Sequence, residues 1–348
     1  MIPETRFQQF KSIPPTHFKP IIAVTMATSR QGQGVVQHLS KNGEFQIRAI
    51  TRNPFSKTAL EMSVLPNVEI VQGDLLDKKS LLEAFHGAYG IFGNTTPTKG
   101  WILGRGSMVS NYELAQGRNL IDAIKEIESY GFLKHFIFSS ICKPKDPLKN
   151  NPAPGHFATK WAIEEYIGLK ELQGITTILR PVSYFENFNT NLPGIQISKN
   201  IFPGILNAKT PWQTIAVKDI GLWALAAIKN PERLLGKSLN IAGEEMTGEQ
   251  MASLLDNILR LKDKTVNYFM IPRPFINLLE HDIAIMADWI ERTGYGVDMA
   301  KIKTLSTELG IRMTSLEQWL EGNVSLIPPQ VNKTIPNSQK VLKPIIAS

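Results

Sequence analysis

Two stretches of the 348-residue chain gather side chains that can hold or move charge. The first is Met26-Ala27-Thr28-Ser29-Arg30-Gln31-Gly32, between the apolar run Ile21–Thr25 and an amphipathic run through Val35, Val36 and Leu39. A turn that feeds a strand into a helix aims backbone N–H groups at the space before it, where an anion can sit. Dinucleotide-holding turns of this kind carry three glycines, and this one keeps only the last, Gly32. Gly34 adds another, but Gly32-Gln33-Gly34 cannot complete G-x-G-x-x-G because Gln37 stands in the third place. The second stretch is His156-Phe157-Ala158-Thr159-Lys160. An imidazole can carry a proton near neutral pH, and a spacing of four puts the lysine on the same helix face.

The elements that must position these residues alternate. Phe45–Thr51, Val68–Val71, Ala88–Gly93, His135–Ser140 and Ile175–Arg180 read as strands, and between them Ser80–Phe85, Asn111–Ile127 and Thr159–Leu172 read as helices. Regular β-α-β alternation requires right-handed crossovers, so the expected fold class is α/β: a doubly wound parallel sheet, Rossmann-like, with helices on both faces. Ligands then bind at the carboxyl ends of the strands. That rule nominates the residues after Thr25, Thr51, Val71, Gly93 and Ser139. Beyond Arg180 the rhythm changes. A loop-like RPVSYFENFNTNLPG is followed by a helix from Asp219, a strand in KSLNIAG, a capping box at Thr247–Gln250, a strand in TVNYFMI and one long helix from Pro274 to Arg292. The expected organisation is an N-terminal arm (1–19), a dinucleotide-binding core (20–180), a smaller C-terminal α+β lobe interleaved with the core (181–323) and a proline-rich tail (324–348).

Composition narrows the function classes. One cysteine, Cys142, excludes an internal disulfide framework and a cysteine-rich metal site, and suits a reducing cytosol. A mean hydropathy of -0.10 and the lack of a long apolar run argue against a membrane span, and the first residues lack the apolar core of a signal peptide. The net charge of +7 suits a phosphate-bearing ligand. The basic residues are scattered, and their densest cluster, Lys143–Lys149, is short and broken by proline. It reads as a solvated loop, so no direct binding of nucleic acid is expected.

The run TMATSRQGQGVV…AITRNP…VQGDLLD…FGNTTP…HFIFSS…RPVSYFENF, closed by LEQWLEGN, resembles the NmrA-like family, a branch of the atypical short-chain dehydrogenase/reductase superfamily, over roughly residues 20–323. The resemblance implies a site. The family's G-x-x-G-x-x-G falls on Met26, Ser29 and Gly32, so Met26 must hold the tight turn at negative φ or change its shape, while the Ser29 hydroxyl can donate to a phosphate. Thr28, Arg30 and Gln31 complete the turn. Arg52, where an NAD-binding protein carries an acid, would join Arg30 around a 2′-phosphate, which favours NADP(H) over NAD. Asp74 and Leu75 would border the adenine; Asn94, Thr95, Thr96 and Pro97 would follow the ribose and nicotinamide.

The superfamily's usual catalytic pair is Tyr-x-x-x-Lys. Here Lys160 is kept and His156 stands in the tyrosine's place. Lys160 could hold a ribose, polarise a carbonyl or act as an acid if burial lowers its pKa. Ser140, beside Ser139, could bond a substrate oxygen, and Tyr184 could supply a proton or be a packing aromatic. Trp101, Trp161, Trp212 and Trp289 could line a pocket or fill a core. Three readings stay open: an enzyme acting on a small organic substrate, as reductase or redox-neutral isomerase or cyclase; an NADP(H)-sensing regulator with a protein partner and access to the nucleus; and a cofactor-free binding protein. No metal is expected.

Overall fold

The computed structural model describes residues 19–96, 106–144, 153–188, 197–198, 200–259 and 265–323. Residues 1–18 of the arm, Pro97, Trp101, positions 145–149 of the lysine-rich cluster and the tail from 324 lie outside them.

Alternation of β-rich runs and amphipathic helices builds the first half. In order come β1 (Ile21–Val24), α1 (Arg30–Asn42), β2 (Gln46–Thr51), α2 (Lys57–Ser63), β3 (Val68–Gln72), α3 (Lys78–Phe85), β4 (Gly90–Gly93), α4 (Gly106–Ser129), β5 (His135–Ser139), α5 (Gly155–Leu169) and β6 (Thr176–Pro181). The second half adds β7 (Ser183–Tyr184), β8 (Ile201–Gly204), β9 (Trp212–Ile215), α6 (Asp219–Lys229), α7 (Pro231–Leu234), β10 (Ser238–Ile241), β11 (Glu244–Met246), α8 (Gly248–Leu259), β12 (Asn267–Met270), α9 (Arg273–Leu279), α10 (His281–Thr293), α11 (Met299–Glu308) and α12 (Leu316–Asn323).

The main sheet is parallel throughout, in the order β10-β6-β5-β4-β1-β2-β3. Its strand order reverses between β1 and β4, the switch point that opens a crevice above the strand ends. Successive side chains of one strand serve opposite faces. Ile22 and Val24 join the cluster that contains Val36, Leu39 and Trp223, whereas Ala23 joins the one that contains Phe85, Leu120 and Ile163. Both faces are therefore covered, as a doubly wound sheet demands. The strand expected in KSLNIAG is β10, and it pairs with β6 to extend this sheet. Two small sheets, β11-β9-β7 and β12-β8, stand beside it.

The long helix expected from Pro274 to Arg292 is two helices. Glu280, extended at φ -152° and ψ 88°, separates α9 from α10. The break lets Ile276 and Ala284 bury in one small cluster, and it starts a new helix whose first turn carries Asp282.

Candidate active site

Ser29 is the N-cap of α1, and its Oγ accepts the Gly32 N–H at 3.1 Å. The expected phosphate hydroxyl is thus first a helix cap, with its own proton left to donate. Met26 contradicts the expectation of negative φ: it lies at +49°, in the left-handed region. The turn keeps the shape its missing glycine would give, at a cost of about 1–2 kcal/mol. Backbone bonds hold it there, Ala27 N to Ile50 O at 3.0 Å and Ser29 N to Met26 O at 2.9 Å. Gly32 has no room for a side chain, since a Cβ would lie 2.2 Å from Met26 O. Gly34 is the contact glycine of a helix crossing, with the Lys218 Cα only 2.9 Å from where its Cβ would be.

Two cavities open on either side of this turn. The smaller, about 200 Å³, is lined by Thr28, Thr51, Arg52, Asp74 and Leu75. The larger, about 400 Å³, is lined by Arg30, Gln31, Asn94, Thr95, Ser140, His156, Lys160 and Tyr184. Met26, Ser29 and Thr96 line both, so the two are neighbouring parts of one crevice. Arg52 lines the smaller cavity and Arg30 the larger, on either side of the turn that the two cavities share. Arg52 is exposed, and among the described residues it has no ion-pair partner.

Lys160 is buried, and its three protons face a ring of acceptors. Nζ lies 2.7 Å from Thr95 O, 2.9 Å from Thr95 Oγ1, 3.0 Å from Asn94 Oδ1 and 3.3 Å from Ser139 O, with Glu113 Oε1 at 3.4 Å. Burial lowers its pKa, against the carboxylate of fully buried Glu113, which raises it. Thr95 and Thr159 hydroxyls donate to the two oxygens of Glu113 and fix it. In this arrangement Lys160 ties β4, β5 and α4 together beneath the crevice.

One turn earlier on α5, His156 lines the larger cavity. Its Nδ1 is bonded to Asp282 Oδ2. The same carboxylate accepts the Gly155 N–H at 2.7 Å and the His156 N–H at 3.3 Å. Pro154, the N-cap of α5, has no side chain that can cap, so Asp282 on α10 does this from another element. Burial alone would raise the Asp282 pKa, but the bond and charge of His156 and the two N–H donors hold it down at about 2. Phe157 anchors the pair: its buried ring meets Trp289 of α10 edge-on at 5.2 Å and stacks on Tyr295 at 6.3 Å.

Tyr184, on β7, is clamped to the first turn of α1. The Gln31 amide donates to the Tyr184 hydroxyl and accepts from Ser139 Oγ, each at 2.7 Å. Burial pushes the Tyr184 hydroxyl well above its usual pKa, which suits a hydrogen-bond donor better than a proton source. Ser140 Oγ is buried on the larger cavity and has no partner among the described residues. Trp161, Trp212 and Trp289 line neither cavity and pack in the core or against it.

Sequence reasoning named Lys160, His156, Ser140 and Tyr184, and all four line the larger cavity. It missed Asp282, Glu113 and Tyr295. Asp282 is 126 residues from His156, on a helix start hidden inside one continuous apolar pattern. The cue for Glu113 was an acid on the buried face of α4. Among the described residues no group of His, Cys, Asp or Glu is placed to hold a metal, and no helix is long and apolar enough to cross a membrane.

The family profile described as the NmrA-like family matches residues 19–320. The nitrogen metabolite repression protein nmrA of Emericella nidulans is 28% identical over 267 residues, 73% of this chain and 69% of that protein. The NmrA-like family domain-containing oxidoreductase cpsB of Aspergillus campestris is 35% identical over 238 residues, 64% of this chain and 68% of that protein. A similarly described oxidoreductase, hkm9 of Aspergillus hancockii, is matched over only 33% of its length. Among solved structures, NmrA, a negative transcriptional regulator, in complex with NADP superposes with a TM-score of 0.69 at 22% identity, covering 89% of this chain and 97% of that one.

Proposed function

The chain belongs to the NmrA-like family, and from that premise we propose that it is an NADP(H)-dependent reductase of a small, largely apolar organic substrate. The observation that carries this reading is the crevice itself. It crosses the strand ends on both sides of the Met26–Ser29 turn, with a cation at one end and a histidine–carboxylate pair at the other. Two features of the chain fit the cofactor. The turn is held in a glycine-like conformation despite Met26, and Arg52 lines the smaller cavity without a competing carboxylate partner among the described residues. Thr28, Ser29, Arg52, Asp74 and Leu75 would hold the adenosine half, and Asn94, Thr95 and Thr96 the nicotinamide half. When bound, the nicotinamide supplies or accepts a hydride. The chain supplies a wall of Ile141, Phe157, Val182, Ile283 and Met286 against which an apolar substrate loses its water, and hydroxyls at Ser140 and Tyr184 that orient it. A single cysteine, buried, suits work in a reducing cytosol.

The likeness to nmrA supports a second reading, in which the crevice senses NADP(H) for a protein partner. The test separates them. NADPH at a hundredfold excess over Kd should stabilise the purified protein by about 2.7 kcal/mol. Arg52→Ala should weaken NADPH at least tenfold more than NADH. Oxidation of NADPH by members of a carbonyl, quinone and imine panel marks the reductase; binding without oxidation marks the sensor or a redox-neutral isomerase or cyclase. No stabilisation by NADPH overturns the proposal.

A further inference from the structure

We infer that Tyr184 and Ser140 are the paired hydrogen-bond donors that grasp the substrate, that Gln31 positions Tyr184 for this, and that the substrate is therefore a neutral carbonyl compound. This rests on the reductase reading above and deepens it. Ser140 Oγ is buried, lines the larger cavity and has no partner among the described residues. A buried hydroxyl left in this way costs free energy until something in the cavity bonds it. Tyr184 lines the same cavity, and its hydroxyl oxygen accepts the Gln31 Nε2–H at 2.7 Å. The proton of that hydroxyl has no acceptor among the described residues, so it is left for a ligand.

Gln31 belongs to the first turn of α1, the helix that Ser29 caps. Its Oε1 accepts from Ser139 Oγ at 2.7 Å, so its Nε2 is the end turned to Tyr184. Ser139 ends β5, and Ser140 follows with its N–H on Leu179 O at 2.8 Å. The Tyr184 hydroxyl, from β7, thus lies two hydrogen bonds from the neighbour of Ser140. The charge around the cavity selects what this pair can hold. Glu113 is the one acidic residue that lines it among the described residues, and its carboxylate is taken by Thr95, Thr159 and Lys160. A protonated imine would find no carboxylate left to pair with. A carbonyl oxygen has two lone pairs and can accept both hydroxyls. As a hydride reaches the carbonyl carbon, the π pair moves onto the oxygen, and both hydroxyls strengthen their hold on the growing charge. Water supplies the proton that completes the alcohol, and Ser140 and Tyr184 keep theirs.

Ser140→Ala and Tyr184→Phe each delete one hydroxyl and keep the shape of the site. Ser140→Ala breaks no bond of the chain, so its Tm should not fall, which separates loss of a donor from loss of the fold. The probe is acetophenone labelled with 13C at the carbonyl, read by isotope-edited infrared spectroscopy on the full chain with saturating NADP+, which cannot reduce it. Either variant should move the C=O stretch of the bound ketone to higher frequency and weaken its Kd about threefold to tenfold, as loss of one neutral hydrogen bond does. The kcat/KM of any ketone that turns over should fall about tenfold or more. Gln31→Glu offers only acceptors at that position, so it should claim the Tyr184 proton and raise the stretch as Tyr184→Phe does. A stretch unmoved by Ser140→Ala or by Tyr184→Phe overturns the role of that hydroxyl, and one unmoved by Gln31→Glu overturns the positioning role. Failure of acetophenone and every aldehyde and quinone of the panel to bind, or tighter binding of protonated imines, overturns the carbonyl assignment. Absence of stabilisation by NADPH fails the cofactor reading instead, and the infrared measurement on the cofactor-free protein then judges the donors by themselves.

Discussion

Replacing Gly32 by alanine should destabilise this protein, although alanine is better than glycine by about 1 kcal/mol inside an ordinary helix. The new Cβ would lie 2.2 Å from Met26 O, 2.7 Å from Ala27 Cα and 2.8 Å from Ala27 O. Relaxed carbon contacts need roughly 3.5–4.0 Å, so the turn would have to retreat by more than about 1 Å. All three atoms are backbone and cannot rotate aside. Met26 already sits at +49°, its carbonyl accepts the Ser29 N–H, and the next residue, Ala27, donates to the Ile50 carbonyl, so little slack is available. Overpacking of this kind costs about 1–3 kcal/mol, and the upper end, less the propensity gain, leaves a net loss of roughly 2 kcal/mol. Differential scanning calorimetry should read this as a fall in Tm of about 3 °C for a chain of this length. Gly34→Ala is the control, since its Cβ meets the Lys218 Cα at 2.9 Å in a helix crossing away from the turn. Both variants should lose stability, but only Gly32→Ala should also weaken NADPH, tenfold or more. A Gly32→Ala protein as stable as the parent would refute the reasoning, because the clash would then have been absorbed where the backbone offers no room.

Other outcomes follow from buried charge and strain. Lys160→Met strands the Glu113 carboxylate in the interior and should cost about 3–5 kcal/mol in urea unfolding; adding Glu113→Gln should recover most of it, and strict additivity of the two would count against the pair. His135 is buried between β4 and β6, bonded to Thr177, with burial holding its pKa down at about 4. The unfolded chain binds that proton near pH 6.5, so the contribution is complete above 6.5 and is lost as pH falls from 6.5 through 4, roughly 3 kcal/mol in all. His135→Gln should flatten that part of the stability–pH curve, and an unchanged slope between pH 6.5 and 4 would show that other groups carry it. Met26→Gly removes the left-handed strain and the side chain that lines both cavities, so NADPH affinity should rise, with stability within about 1 kcal/mol of the parent as relief offsets lost packing.

The α/β rhythm was legible because each buried parallel strand is a short apolar run and each covering helix shows one apolar face. Strand ends then nominated most of the cavity lining without any geometry. What stayed hidden depends on distance and on backbone angle. Nothing in the letters around Met26 signals a positive φ; the left-handed turn is imposed by bonds to Ile50 and Ser29. Gly34 read only as an extra glycine that completes no nucleotide motif, and it is where Lys218 and Gly221 come close. The break at Glu280 falls in a pattern whose apolar spacing runs on through it, and the bond that Asp282, in the first turn of the new helix, accepts from the α5 N-terminus joins residues 127 positions apart. Gln31 belonged to the expected turn, but its reach to Ser139 and Tyr184 joins residues 108 and 153 positions away.

The position of β10 has a consequence for how the chain can be assembled. Its neighbour β6 is complete at Pro181, yet β10 enters only at Ser238, after β7, β8, β9, α6 and α7 have intervened. A polypeptide growing from its N-terminus therefore carries β6 as a bare sheet edge while all of that intervening sequence is made, and unpaired edges invite pairing with other chains. The long-range closure also raises the mean sequence separation of contacts, which slows folding. A fragment ending near residue 180 would keep the whole Met26–Gly32 turn and both arginines, yet it should aggregate in recombinant expression, whereas one ending beyond Ile241 seals the sheet. The shortest soluble fragment is thus set by an edge strand on the far side of the sheet from the Arg52 end of the crevice.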